Sequence, residues 1–361
     1  MSAASLRGAI LEYLVRKLFI KCGFTSVLAD KIYTFNRGHL FMINGKGAAH
    51  DADVLMQPPI QIPFSIPTQI LFECKAYSTR KIGLPILRNA LGLRNDINDF
   101  EIVTHASLMR RQNNRRTQLA VEQRDRHWVQ VGVAAVNDFS KPAIEFALNN
   151  KIPLLSLSWY LLPTTINSIN GIDDASLASY SEDEIKKMVD ALKDRVDDIN
   201  SPKHSSAYAA FERMGIVGDI LSYGNYITNL KLIGLLDSGS MIFLTPTSGI
   251  ETLNRVIAEG HLDLKAEIYF LENRRSKWTM KIYPNENRDL SAELEFSLPR
   301  EILSEWSKKG MTTREAPNIK ETRFSRITLF HNQEGVNMPI SFVTLNQQWL
   351  RGIREQLGNA V

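Results

Sequence analysis

The sequence predicts an α/β sandwich with a mixed sheet, followed by an α+β half with antiparallel strands. Three observations predict it. Helical and strand periodicities alternate up to residue 157. A stretch rich in Ser, Thr, Asn and Asp, Leu162 to Tyr180, follows. Beyond Pro202 the texture changes to short strands separated by polar turns. A chain of 361 residues is long for one core and comfortable for two domains. The expected division is residues 1–163, a linker over 164–180, and residues 181–361.

Taken in order, Leu6 to Cys22 reads as a helix. Leu6, Ile10, Tyr13, Leu14 and Leu18 recur near the helical period, with Ser5 as N-cap and Gly23 as the stop. Gly38 to Gly47 carries turn residues around the apolar Leu40 to Ile43. Asp53 to Met56 reads as a strand end. The prolines at 58, 59, 63 and 67 then exclude a central strand. Gln69 to Ala76 reads as a strand, Leu84 to Asn98 as a helix, and Thr117 to Arg126 as a helical continuation. Val129 to Val136 is an apolar, β-branched run of the kind that fills a buried strand. Lys141 to Asn149 is a helix and Ile152 to Leu157 a second buried strand. After the linker, Ser181 and Glu184 make a capping box for a helix reaching about Ile199. Leu230–Leu236 and Met241–Thr245 flank Asp237-Ser238-Gly239-Ser240, a hairpin signal. Ala266–Leu271, Trp278–Tyr283 and Ala292–Leu298 read as strands. Arg326–Phe330 with Ile340–Leu345 is a further hairpin, and Gln347 to Leu357 a final helix.

Hydrophobic residues make up 44% of the chain and charged residues 23%, as in ordinary globular proteins. No apolar run reaches the roughly 18 residues that span a bilayer, so no membrane partner is expected. Met1 to Lys21 carries Glu12, Arg16 and Lys17 and lacks the apolar core of a signal peptide. Two cysteines exclude a disulfide framework, and no Cys/His set has zinc spacing. A cytoplasmic location is the expectation. The net charge of +4 conceals an asymmetry. Residues 1–163 hold 20 Lys and Arg against 12 Asp and Glu; the rest hold 23 against 27. A basic first half points to a polyanion there. Arg110, Arg111, Arg115 and Arg116, with Arg124 and Arg126, are the candidate phosphate contacts, because a planar guanidinium binds two phosphate oxygens at once. The bland alternative is a solvated helix face.

The segment that carries chemistry runs from Gly47 through His50, Asp51 and Asp53 to Glu73-Cys74-Lys75. Residues two apart on a strand share a face, so Glu73 and Lys75 point together and Cys74 packs away from them. Ile70, Leu71 and Phe72 lead straight into that charged pair. Phosphodiester hydrolysis needs an activated water and relief of charge on the transition state. Two carboxylates, Asp53 and Glu73, can hold Mg²⁺, a hard ion that prefers oxygen ligands. Lys75 can orient or deprotonate the attacking water, or neutralise developing charge. Asp51 competes with Asp53 for the ligand role, since the two share a face; His50 is a weaker candidate. Against these stands a capped strand-end Asp and a surface Glu–Lys pair worth little.

The pattern Asp53, about 20 residues, Glu73-Cys74-Lys75 resembles the PD-(D/E)XK nuclease superfamily, most closely its Mrr-type, restriction-endonuclease-like domains. Arg7-Gly8 with Glu12 on the first helix, His50-Asp51-Ala52-Asp53 and the later strand–helix–strand, Val131 to Leu157, stand in the matching places. The resemblance covers roughly residues 5–160. No Pro precedes Asp53, a departure from the common pattern. The resemblance implies a restriction-endonuclease-like sandwich and a DNA endonuclease dependent on Mg²⁺, with Mn²⁺ as substitute. It adds Glu12 to the site and sets the activity in restriction or anti-phage defence. Recognition, homodimer formation or contact with a defence-system partner protein falls to the second half. Two rivals remain open: a nucleic-acid-binding or assembly module with partner-controlled activity, and a structure-specific resolvase.

Overall fold

The computed structural model describes residues 2–38, 40–61, 66–99, 127–159, 161, 163–216, 220–221, 232–237, 240–260, 263–271, 277–331 and 340–358. The first helix spans Ala3–Lys21. It begins earlier than the periodicity suggests because Ser2, in extended conformation, accepts the Ser5 N–H and serves as cap. Gly23, at φ +87°, ends it in a backbone conformation that glycine takes without strain. The helix is buried on almost every side, so apolar residues surround it and Glu12 and Arg16 are carried inside with them.

That helix lies on a five-stranded mixed sheet: β1 (Thr25–Ser26), β5 (Val54–Gln57), β6 (Thr68–Lys75), β7 (Trp128–Ala135) and β8 (Leu154–Ser156), in the order β1-β5-β6-β7-β8. β5 runs antiparallel to β6, while β6, β7 and β8 are parallel. Val54, Met56, Phe72 and Cys74 pack toward the first helix. Leu55, Leu71, Val131 and Val133 pack on the other face, with helices Leu84–Asn98 and Lys141–Asn150. Gly132 lets β7 and β6 pack closely: a Cβ there would lie 2.6 Å from the Phe72 ring. A separate three-stranded antiparallel sheet, β2 (Thr34–Arg37), β3 (Leu40–Asn44) and β4 (Ala49–Asp51), stands beside it.

The expected architecture needs correction at this point. The second half is no open antiparallel α+β sheet, and the molecule is no restriction-endonuclease-like sandwich with an appendage. β9 (Leu232–Leu236), β10 (Met241–Pro246), β11 (Leu264–Phe270), β12 (Lys277–Pro284), β13 (Ala292–Ser297), β14 (Arg326–Phe330) and β15 (Ile340–Leu345) close into a seven-stranded barrel, ordered β10-β13-β12-β11-β15-β14-β9. The predicted hairpins are present, β9 with β10 and β14 with β15. Closure comes from pairings that no hairpin announces: β9 with β14, and β11 with β15 in parallel. Closing the sheet removes the exposed edges an open one would leave. Only an α/β character remains of the expected class, in the five-stranded sheet and its helices.

Residues of the expected linker form helix Pro163–Asn170 and bury Ile166, Ile169, Ile172 and Leu177 in the same hydrophobic cluster as the first helix. The capping box is present, Ser181 and Glu184 each bonding the other's backbone N–H, at the start of helix Glu182–Lys193. That helix packs along the first one. The cluster continues to Ile233, Phe243 and Phe330 of the barrel. Phe24 lies 5.1 Å from the Phe330 ring, and Glu145 and Lys308 pair at 2.8 Å.

Candidate functional site

Asp53 immediately precedes β5. Val54 stands opposite Phe72, and the same register carried one residue further sets Asp53 across from Glu73. Its Oδ2 accepts the Cys74 N–H at 2.7 Å, so the carboxylate takes the place of the next ladder carbonyl just before β5 begins. Glu73 Oε2 lies 3.6 Å from Lys75 Nζ, the same-face pair that the spacing predicts. Glu12 comes in from the first helix, 6% exposed.

Lys193, the last residue of helix Glu182–Lys193, escaped the sequence reading. Its Nζ lies 2.9 Å from Glu12 Oε1. Arg195, two residues on, donates to the carbonyls of Ala52 at 2.6 Å and Asp53 at 3.0 Å, and its guanidinium lies 4.0 Å over the Phe41 ring. Arg16 donates to the Leu192 carbonyl at 2.6 Å, satisfying a terminal carbonyl of that helix. The one available signal was a stripe: Lys186, Asp190 and Lys193 fall at i, i+4 and i+7, beside the apolar face of Ile185, Met188, Val189 and Leu192.

The electrostatics follow from packing these groups together. Burial, then the neighbouring Glu12, pushes the Asp53 carboxyl up to about 8; the Cys74 N–H pulls against them. Burial also raises Glu12, opposed by Lys193. Burial alone would lower Lys75, but Glu73 and Asp53 outweigh it and hold the ammonium above its ordinary range. Lys193 is raised the same way, Glu12 outweighing burial. Burial brings Arg195 down to about 10. Lys75 is therefore a firmly held cation here, suited to stabilising negative charge and poorly suited to taking a proton.

The other candidates are placed as follows. Asp51, on β4, is exposed and contributes to the negative field at Asp53 and Glu12. His50 Nε2 lies 2.6 Å from Asp96 Oδ2, and Asp96 Oδ1 accepts the Gly47 N–H at 2.9 Å. This clamp ties β4 to helix Leu84–Asn98. A Cβ on Gly45 would lie 2.0 Å from Asp96, so the turn needs glycine. Arg110, Arg111, Arg115 and Arg116 lie outside the described residues.

Metal-ligating geometry is found away from Asp53. Among the described residues, Asp194, Asp197 and His204 bring three ligating atoms within 4.8 Å of one another. Lys203 Nζ already sits 2.7 Å from Asp194 Oδ2 and 2.9 Å from Asp197 Oδ2, so an ammonium stands where a cation would. Asp53, Glu73 and Glu12 do not gather to that distance. Proteins usually hold Mg²⁺ with one or two carboxylates, water and substrate supplying the rest.

No protein-family model matches the chain, and no curated protein or solved structure matches it. Among the described residues no helix is long and apolar enough to cross a membrane.

Proposed function

We propose that the chain is a metal-dependent nuclease that hydrolyses phosphodiester bonds in DNA. Asp53 and Glu73 would hold Mg²⁺, or Mn²⁺ in its place. The observation that carries this reading is the state of Asp53. Its carboxyl is fixed by the Cys74 N–H yet driven toward its neutral form by burial and by Glu12. A divalent cation would restore its charge, and hard oxygen donors of this kind are what Mg²⁺ accepts. Once bound, the metal would polarise the phosphate and acidify a bound water. The chain's own groups do the rest. Lys75 faces the charge that grows on the phosphate, held cationic by Glu73 and Asp53. Lys193 neutralises Glu12 and Arg195 anchors the Ala52–Asp53 backbone. The resemblance of Glu12, Asp53 and Glu73-Cys74-Lys75 to PD-(D/E)XK nucleases supports the same chemistry and suggests restriction or anti-phage defence as its setting.

The test incubates supercoiled, linear and branched DNA with Mg²⁺, Mn²⁺ or EDTA. Cleavage should need the metal. Asp53→Ala and Lys75→Ala should each lower the rate about 100-fold or more, as loss of a charge-stabilising group does. Cleavage that persists in EDTA, or in either variant, would sink the assignment. Cutting confined to branched DNA would favour a resolvase.

A further inference from the structure

The backbone that leaves β6 after Lys75 is tied down by side chains from distant segments. Arg7 Nε donates to the Ala76 carbonyl at 3.4 Å, and another arm of the same guanidinium donates to the Ile172 carbonyl. Asn137 Nδ2 donates to the carbonyls of Tyr77 at 2.6 Å and Ser78 at 3.2 Å. Asn137 Oδ1 in turn accepts from Asn170 Nδ2 at 3.1 Å. At the far end the Ile82 N–H donates to the Asp138 carbonyl at 3.0 Å, and the Ser140 N–H to the Ile82 carbonyl at 2.8 Å. Residues 76–82 are thus a loop anchored at both ends. An anchored loop has little conformational freedom left to lose when something binds to it.

The loop presents a cation in a fixed place. Tyr77 packs against the hydrophobic cluster that also holds Leu87, Ala90 and Val133, and the Arg80 guanidinium lies 3.9 Å over its ring. A guanidinium over a ring keeps its N–H groups at the edge, in the planar fork that matches two oxygens of a phosphate. Arg80 and Lys81 are exposed, and neither pairs with a carboxylate among the described residues. Residues 76–95 hold Arg80, Lys81, Arg88 and Arg94 and no Asp or Glu. A cation kept for solubility gains nothing from a ring beneath it or a pinned backbone; a phosphate contact gains pre-organisation from both. Five residues of chain reach at most about 18 Å, and a DNA strand rises about 3.4 Å per nucleotide, so Arg80 lies within about five nucleotides of Lys75 along a strand.

We propose that residues 76–83 form the strand-gripping loop of this site, with Arg80 binding a backbone phosphate of the DNA strand beside the one hydrolysed at Lys75. The inference rests on the nuclease reading. It gives Arg7 and Asn137 the task of positioning the loop. A contact of this kind holds the strand in register without reading its sequence.

The experiment measures binding of a labelled DNA duplex to the full chain in EDTA, by fluorescence anisotropy over a series of salt concentrations. Arg80→Ala should weaken binding about tenfold and lower the slope of log affinity against log salt by about 1, as loss of one charged phosphate contact does. Arg80→Lys keeps the charge without the fork, so the slope should stay and the affinity fall between the two. Tyr77→Leu removes the ring and keeps an apolar side chain; it should weaken binding at the parental slope. Arg351→Ala, at an exposed arginine of helix Gln347–Gly358, should alter neither. In Mg²⁺, Arg80→Ala should raise KM about tenfold and leave kcat, because a flanking contact is alike in substrate and transition state. Parental affinity and slope in Arg80→Ala, or an equal loss from Arg351→Ala, overturn the proposal. So does inorganic phosphate that displaces the DNA beyond chloride at equal ionic strength, which assigns the loop to a free anion. DNA gripped through Arg80 by a chain that never cuts overturns the nuclease reading and leaves the loop standing. Metal-dependent cutting with a KM untouched by Arg80→Ala overturns the loop alone.

Discussion

The sheet region and the barrel bury different things. Around β5 and β6 the interior holds Glu12, Arg16, Asp53, Lys193 and Arg195, ionisable groups drawn from three separate segments. In the barrel and its helices the interior is aromatic. Trp278 lies 5.5 Å from Trp306 and 5.7 Å from Phe324, and Phe270 lies 5.1 Å from Trp306. The barrel region buries charge too, at Glu301, whose Oε2 has no hydrogen-bond partner, and at Glu267 and Lys320, which do find company. Glu267 accepts from Tyr269, from Tyr283 at 2.9 Å and from Arg288 at 2.5 Å. Lys320 lies over the rings of Phe270, Trp278 and Trp349. The contrast teaches where each region's stability goes. Packed rings contribute directly to it, whereas a carboxyl held near an acid and short of solvent works against it.

Three substitutions probe that contrast. The largest effect should come from Trp306→Ala. The side chain is fully buried against the rings of Phe270 and Trp278, and its Nε1 donates to the Thr312 carbonyl at 3.2 Å. A loss of about 3–5 kcal/mol in denaturant unfolding is expected. A loss below about 1 kcal/mol would mean that the aromatic cluster is not what holds the barrel.

Asp53→Asn should act in the opposite direction. The folded carboxyl, at about 8, keeps a proton that the unfolded chain releases near 3.8. Stability is therefore full below about pH 4 and is lost as pH rises through 8. In EDTA the variant should match the parent at pH 4 and melt several degrees higher at pH 8, where about 1 kcal/mol corresponds to about 1–2 °C in a chain of this size. Equal melting at both pH values would remove the claim that Asp53 is held under strain of charge.

Lys320→Met should give the smallest shift. Burial brings this lysine down to about 8, so the unfolded chain takes up a proton between that value and 10.5 that the folded chain declines. The cost of the charge is present at pH 7 and fades as pH rises past 8. The variant should be more stable by about 1 kcal/mol at pH 7, offset in part by the lost contact with the rings, and the gap should close toward pH 10. A gap that widens with pH would show that the rings do not shed the charge.

Much of the local structure is legible in the amino-acid order because local signals cause it. The apolar run into Glu73-Cys74-Lys75 gives β6, Ser181 and Glu184 give the helix that follows the second segment, and the 3.6-residue period gives Leu84–Asn98. The carboxylates and lysine of the candidate site are legible for the same reason. Lys193 and Arg195 are not, because nothing near them in sequence records that they fold back more than 140 residues onto Glu12 and Ala52. Barrel closure fails for the same cause: β9 looks like half a hairpin, and its second neighbour, β14, arrives some 90 residues later. His50 is the converse case. A histidine beside two aspartates suggests a site residue, and its imidazole is tied to Asp96 on helix Leu84–Asn98.

The pairing of the first helix with Glu182–Lys193 also sets an order in time. Glu12 leaves the ribosome first, and its counter-ion is synthesised 181 residues later. At about 5–20 residues per second, that interval is about 10–35 s. Through it the nascent chain can form its sheet but has neither Lys193 against Glu12 nor Arg195 on the Ala52 and Asp53 carbonyls. The arrangement delays completion of the charged centre until Lys193 and Arg195 have been made.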